Sequence, residues 1–202
     1  MKFKKTEKEI IKSIIEYGNE KSLADVINKS HLLEKRGIGI VPYHEHNYIF
    51  LRKDIYNEWD DKEALGYIAE LLSLIDLLIK KRYIVLIPGG YSEALAIGAQ
   101  DARWHKNETL AVNGNEHICL AERYVNWFDA NGNQKYWDCH FEEQQLPISK
   151  LLMPWFSISQ ELKTLVKNDF KTEEEIRFRK QQRLTWISIG VAILTGILGI
   201  IF

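Results

Sequence analysis

Cysteine is scarce in this sequence: Cys119 and Cys139 are the only two, and no Cys-x-x-Cys pair occurs. That excludes a disulfide-stapled secreted module and leaves two reduced thiols in a folded chain as the plain reading. Phosphate-binding loops are missing as well. Pro88-Gly89-Gly90 follows an apolar run, yet no Gly-Lys-Ser/Thr comes after it and Gly-x-Gly-x-x-Gly occurs nowhere, which closes both common routes to nucleotide binding. No other motif asks for a cofactor, and none is expected. There is no excess of one charge either: 27 Lys and Arg stand against 28 Asp and Glu. A near-zero balance gives no global argument for nucleic acid, which is therefore disfavoured as a partner. The first residues, MKFKKTEKEIIKS, are basic but lead into no apolar stretch of signal-peptide length, because Glu7 and Glu9 interrupt it. Export by that route is not expected.

The chain has ample material for a core. Hydrophobic residues make up 46% and charged ones 27%, with 6 Trp, 9 Tyr and 8 Phe, a folded rather than disordered composition. Its most informative stretch is the last one. Leu184 to Phe202 reads LTWISIGVAILTGILGIIF, 19 residues without a charge or a proline. At 1.5 Å per residue a helix of that length spans about 28 Å, close to the hydrocarbon thickness of a bilayer. A buried core helix is the competing explanation, but apolar residues occupy every face of this one. Arg177, Arg179, Lys180 and Arg183 precede the run and nothing basic follows it. The positive-inside rule then places the large N-terminal part in the cytoplasm, at the inner membrane if the source is bacterial. Trp186 stands where an indole prefers the interface, and the basic cluster suits the membrane surface. The expected partner is thus the lipid bilayer, with insertion after synthesis as in tail-anchored proteins. Ser188, Ala192 and Gly196 recur every fourth residue and place small side chains on one helix face, as Thr195 and Gly199 do alongside; self-association through the membrane helix is the corresponding expectation.

Ahead of the anchor the pattern predicts an α+β domain of helices and β-hairpins over residues 1–170, with a subdivision near 55–60, and a juxtamembrane helix over 171–183. Thr6 as N-cap opens a helix over Glu7 to Tyr17, and Ser22 opens a second that breaks near Ser30 and closes at Gly37. Ile38 to Tyr43 and Tyr48 to Arg52 read as a hairpin, followed by a long helix from Asp60 or Asp61 to Lys81. Tyr83 to Ile87 is expected to be a buried strand stopped at Pro88-Gly89-Gly90. His117 to Trp127 and Gln134 to Phe141 flank the turn signal Asp129-Ala130-Asn131-Gly132-Asn133 and predict a second hairpin, in which Cys119 and Cys139 could face one another. Pro154 is expected to lead a helix through Val166, and Thr172 with Glu175 to cap the helix that continues into the membrane.

Leu32-Leu33-Glu34-Lys35-Arg36 and Leu77-Leu78-Ile79-Lys80-Lys81-Arg82 each end a helix just before β structure. This pattern is similar to winged-helix domains, over Thr6 to Arg52 or Asp60 to Leu120, and the resemblance implies DNA binding. Residues able to carry chemistry are few. His44 and His46, alternate residues of an extended segment, could both reach one metal ion, but no third ligand is fixed by spacing and an exposed hairpin tip is the better explanation. His117, His140 and Asp138 contain the minimum for acid-base catalysis, a histidine near a carboxylate, which keeps a membrane-anchored hydrolase open. Clear anchor and sparse catalytic signals together favour a non-enzymatic, membrane-anchored sensing or partner-binding module over an enzyme.

Overall fold

The computed structural model describes residues 3–43, 46–57, 62–92, 97–98, 111–112, 118–119 and 136–201, with side chains of the last helix described through Ile193. It is an α+β fold. Helices α1 (Lys5–Glu16) and α2 (Leu23–Ser30) lead through a single 3-10 turn, Glu34–Arg36, into an antiparallel pair, β1 (Ile38–Tyr43) and β2 (His46–Arg52). Helix α3 (Lys62–Lys80) precedes β3 (Ile84–Tyr91), and short strands β4 (Ala111–Val112) and β5 (Ile118–Cys119) follow. Then come β6 (Tyr136–Glu142), α4 (Ile148–Leu152), β7 (Pro154–Ile158), α5 (Gln160–Lys167) and α6 (Glu173–Ile201).

Capping chemistry explains the first boundaries. The backbone N–H of Lys4 donates to Glu7 at 2.6 Å, so α1 starts before Thr6, the expected cap. Ser22 caps α2 as expected, exchanging bonds with Asp25. His31 in the left-handed region ends α2 where the break was expected, and Gly37, at φ 67°, turns the chain into β1.

Three strands in the order β1-β2-β6 form the larger sheet. Ile38 pairs with Leu51 and Ile40 with Ile49, and these four face the main core with Ile10, Ile11, Ile14, Leu23, Ile27, Leu71 and Ile75 from the first three helices. Val41, Tyr48 and Phe50 are buried on the opposite face. The second sheet pairs β3 with β7 and turns Ile84 and Phe156 into the same core.

Several expectations are corrected. Residues from Pro154 form a strand, not the start of a helix; that segment pairs with β3, and Ser159 caps a separate helix by accepting from the Leu162 N–H at 3.2 Å. A run of Trp, Phe and Ile has a strong β preference that a leading proline does not override at a strand's first position. Pro88-Gly89-Gly90 does not stop β3 but sits inside it, as an irregularity in register between Ile87 and Tyr91. A Cβ on Gly90 would lie 2.2 Å from the Trp155 ring, so only glycine lets that indole lie on the strand. Nor is β3 buried on both faces, since Val85 and Ile87 are exposed. Finally, β6 pairs with β2, and β5 with β4. Cys139 therefore stands opposite Ile49 and Cys119 opposite Ala111, in different sheets, rather than facing each other.

Candidate functional site: the last helix and its collar

The joint before α6 is built by backbone conformation. Asn168 ends α5, and Asp169 and Phe170 both adopt positive φ, 53° and 60°, which reverses the chain while Phe170 is buried against Phe3, ring centroids 5.6 Å apart. Thr172 and Glu175 then exchange bonds of 3.1 and 3.2 Å, the expected capping box. Glu173, Glu174 and Glu175 in the first turn complement the helix dipole. Arg177, Arg179, Lys180 and Arg183 follow, all exposed, with Arg177 3.7 Å from Glu173. A cavity of about 290 Å³ lies at this base, lined by Phe3, Lys8, Phe170 and Arg179 among others.

Beyond the collar every described side chain of the helix is exposed. Leu184, Trp186, Ile187, Ile189, Val191 and Ile193 are exposed, between 42% and 67%, and the sector they leave is taken by Thr185, Ser188 and Ala192, so no azimuth carries a charge. The two described hydroxyls of the run are turned inward: Thr185 Oγ1 donates to the Gln181 carbonyl and Ser188 Oγ to the Leu184 carbonyl, each at 3.0 Å. Back-bonding of this kind satisfies a hydroxyl without water. Ala192 lies one turn beyond Ser188 and is exposed, and Gly196 one turn further within the same helix. Among the described residues no helix is long and apolar enough to cross a membrane, the described side chains of α6 ending part-way along its apolar run.

The chemistry-bearing residues are only partly brought together. His46, exposed at the start of β2, pairs in register with Tyr43 and Glu142; His140 stands opposite Tyr48 and Asp138 opposite Phe50. Register thus sets His140 two residues and Asp138 four residues along β6 from Glu142, the position opposite His46. His44 and His117 lie outside the described residues. Among the described residues no group of three or more His, Cys, Asp or Glu could hold a metal ion. No protein-family model, curated protein or solved structure matches this chain.

Sequence reasoning missed a polar hub. Asn47 is fully buried, and its Nδ2 donates to Glu143 and to the Leu146 carbonyl, both at 2.8 Å. Glu143 also accepts from the backbone N–H groups of Ser149 and Lys150, capping α4. Burial first, then the charge of Glu143, holds the Tyr91 phenol above its ordinary range, and its hydroxyl donates to the Ser149 carbonyl at 3.0 Å. One signal could have revealed the hub: Asn47 shares strand parity with core-facing Ile49 and Leu51, so its amide must find partners indoors. Beside α4 lies an open groove of about 410 Å³ with Leu72, Leu146 and Leu151 as its floor and Ser73, Asp76 and Lys150 at its rim.

Proposed function

We propose that this chain is a single-pass, tail-anchored membrane protein whose α+β domain works at the cytoplasmic face as a non-enzymatic sensing or partner-binding module. The observation that carries the reading is the exposure of every described side chain of α6 beyond Arg183, with no charged face among them. A helix packing on protein keeps a polar face for water, whereas one surrounded by acyl chains does not. Three further features support it: the uncharged run to Phe202, the basic collar that precedes it, and the in-helix satisfaction of Thr185 and Ser188. The helix runs without a break from Glu173 to Ile201, so no flexible linker lets the domain wander from the bilayer. Ser188, Ala192 and Gly196 would provide the face for helix self-association.

The test is membrane extraction. The full chain is expected to stay with membranes through alkaline carbonate washing, with the domain open to protease from the cytoplasmic side, and a chain ending at Arg183 to be released. Retention of the shortened chain would overturn the reading. A second reading, a membrane-tethered winged-helix DNA binder, is favoured by the order α1, α2, 3-10 turn, β1, β2 alone. Against it, α2 is largely buried and the Arg36 guanidinium is stacked 3.9 Å from the Tyr67 ring, which leaves few cations for phosphate. Failure to shift duplex DNA at low salt would remove it.

A further inference from the structure

The outer face of the β3–β7 sheet is unusual for a surface. Val85 stands opposite Ser157 and Ile87 opposite Trp155, all pointing away from the core that Ile84 and Phe156 enter. Val85 is 50% exposed, Ile87 41% and Trp155 37%, so three large apolar or aromatic side chains form one contiguous patch, while Tyr91, opposite Pro154, turns to the other face and donates to the Ser149 carbonyl. The patch is rigidly held: the Trp155 indole lies against Gly90 and donates from Nε1 to the Tyr91 carbonyl at 3.0 Å. Its surroundings are cationic. Lys21 sits 5.6 Å from the Trp155 ring, and β3 is led in by exposed Lys81 and Arg82. Among the described residues none of these three forms an ion pair.

We propose that the β3–β7 face is a second membrane contact, which lays the domain against anionic lipid with Val85, Ile87 and Trp155 at the headgroup boundary and Lys21, Lys81 and Arg82 on the phosphates. This rests on the anchor reading, which keeps the domain beside the bilayer. Charge selects the occupant: an apolar and aromatic platform rimmed by uncompensated cations complements an anionic leaflet, where each cation near the surface adds attraction and Trp prefers the interface. A second copy of the chain would bring the same cations face to face. The patch is also small, on the order of 300 Å² per copy, short of what a stable protein pair buries.

The experiment places the full chain in nanodiscs holding one copy each, of phosphatidylserine or of phosphatidylcholine, with bromine carried on the lipid near the headgroup. The emission that Trp155→Phe removes isolates Trp155 from the other tryptophans. In anionic discs that emission is expected to fall roughly twofold or more on bromination, with little change in neutral discs, and the double reversal Lys21→Glu with Arg82→Glu should abolish the quenching without moving the thermal midpoint. Trp155 emission unaffected by bromine in both lipids, from a chain firmly held in the disc, would overturn the contact and leave the anchor standing. In parallel discs loaded with two copies, a blue shift without quenching that single-copy discs lack would overturn it in favour of a second copy. A chain that enters neither disc overturns anchor and contact together.

Discussion

The two longest helices, α3 with 19 residues and α6 with 29, are both rich in leucine and isoleucine, yet they meet opposite fates. Helix α3 buries Ala64, Tyr67, Ile68, Leu71, Leu72, Leu74, Ile75 and Leu78 and keeps Glu63, Glu70, Asp76 and Lys80 at its margins or outside. Helix α6 separates its polarity along the axis instead, with charges up to Arg183 and apolar residues beyond, and no described side chain in it is buried. Polarity divided around a helix directs it onto a protein core, and polarity divided along a helix is the pattern behind the crossing between solvents proposed for α6.

That contrast can be broken most sharply by removing residues 184–202, which should move the chain wholly from membrane to soluble fractions while the domain's far-UV circular dichroism persists apart from the lost helix. Next in size is a matched pair. Leu71→Ala should lower the domain's unfolding free energy by about 2–5 kcal/mol, since the side chain is 1% exposed, whereas Ile187→Ala should leave it within about 0.5 kcal/mol. Chemical denaturation in mild detergent reads both, and equal losses would mean that α6 packs on the domain after all. Asn47→Ala should cost about 1–3 kcal/mol, because it strips a buried donor from Glu143 and the Leu146 carbonyl; the hydrogen-exchange protection of α4 is expected to fall with it. Thr172→Ala should cost about 1 kcal/mol, confined to fraying of the first turn of α6, which amide exchange localises.

The smallest effect is set by pH. Burial, partly offset by the neighbouring Arg36, raises the Tyr67 phenol above its ordinary value of 10.0. A raised folded-state value means that this stabilisation is complete below about pH 10 and is lost as pH climbs through the folded value. Alkaline titration of the thermal midpoint should therefore show a decline above pH 10 that Tyr67→Phe reduces.

How far the residues alone could be read follows from how local each signal is. The end of α2 near Ser30, the Gly37 turn, the β1–β2 pair and the Thr172–Glu175 cap each depend on a few neighbouring residues, and all of them were legible. Pro154 misled because its neighbours Trp155 and Phe156 are directed by a partner strand about 70 residues earlier in the chain. The pairing of β6 with β2 was illegible for the same reason, and with it the positions of His140, Asp138 and Cys139, since a turn signal before a strand does not name the strand it will join. The catalytic candidates suffered most: proximity between side chains from separate segments is a property of register, and register is not written in either segment alone.

By itself the sequence determined the α+β class, the caps and the separation of charge from apolar surface along the last helix, because capping, periodicity and hydropathy act over a few residues. Only the tertiary structure decided that β2 lies between β1 and β6, that Asn47 and Glu143 meet over α4, and that β3 with β7 leaves an apolar face outside. Those outcomes depend on which distant segments share one core, a choice made by the burial of the whole chain at once.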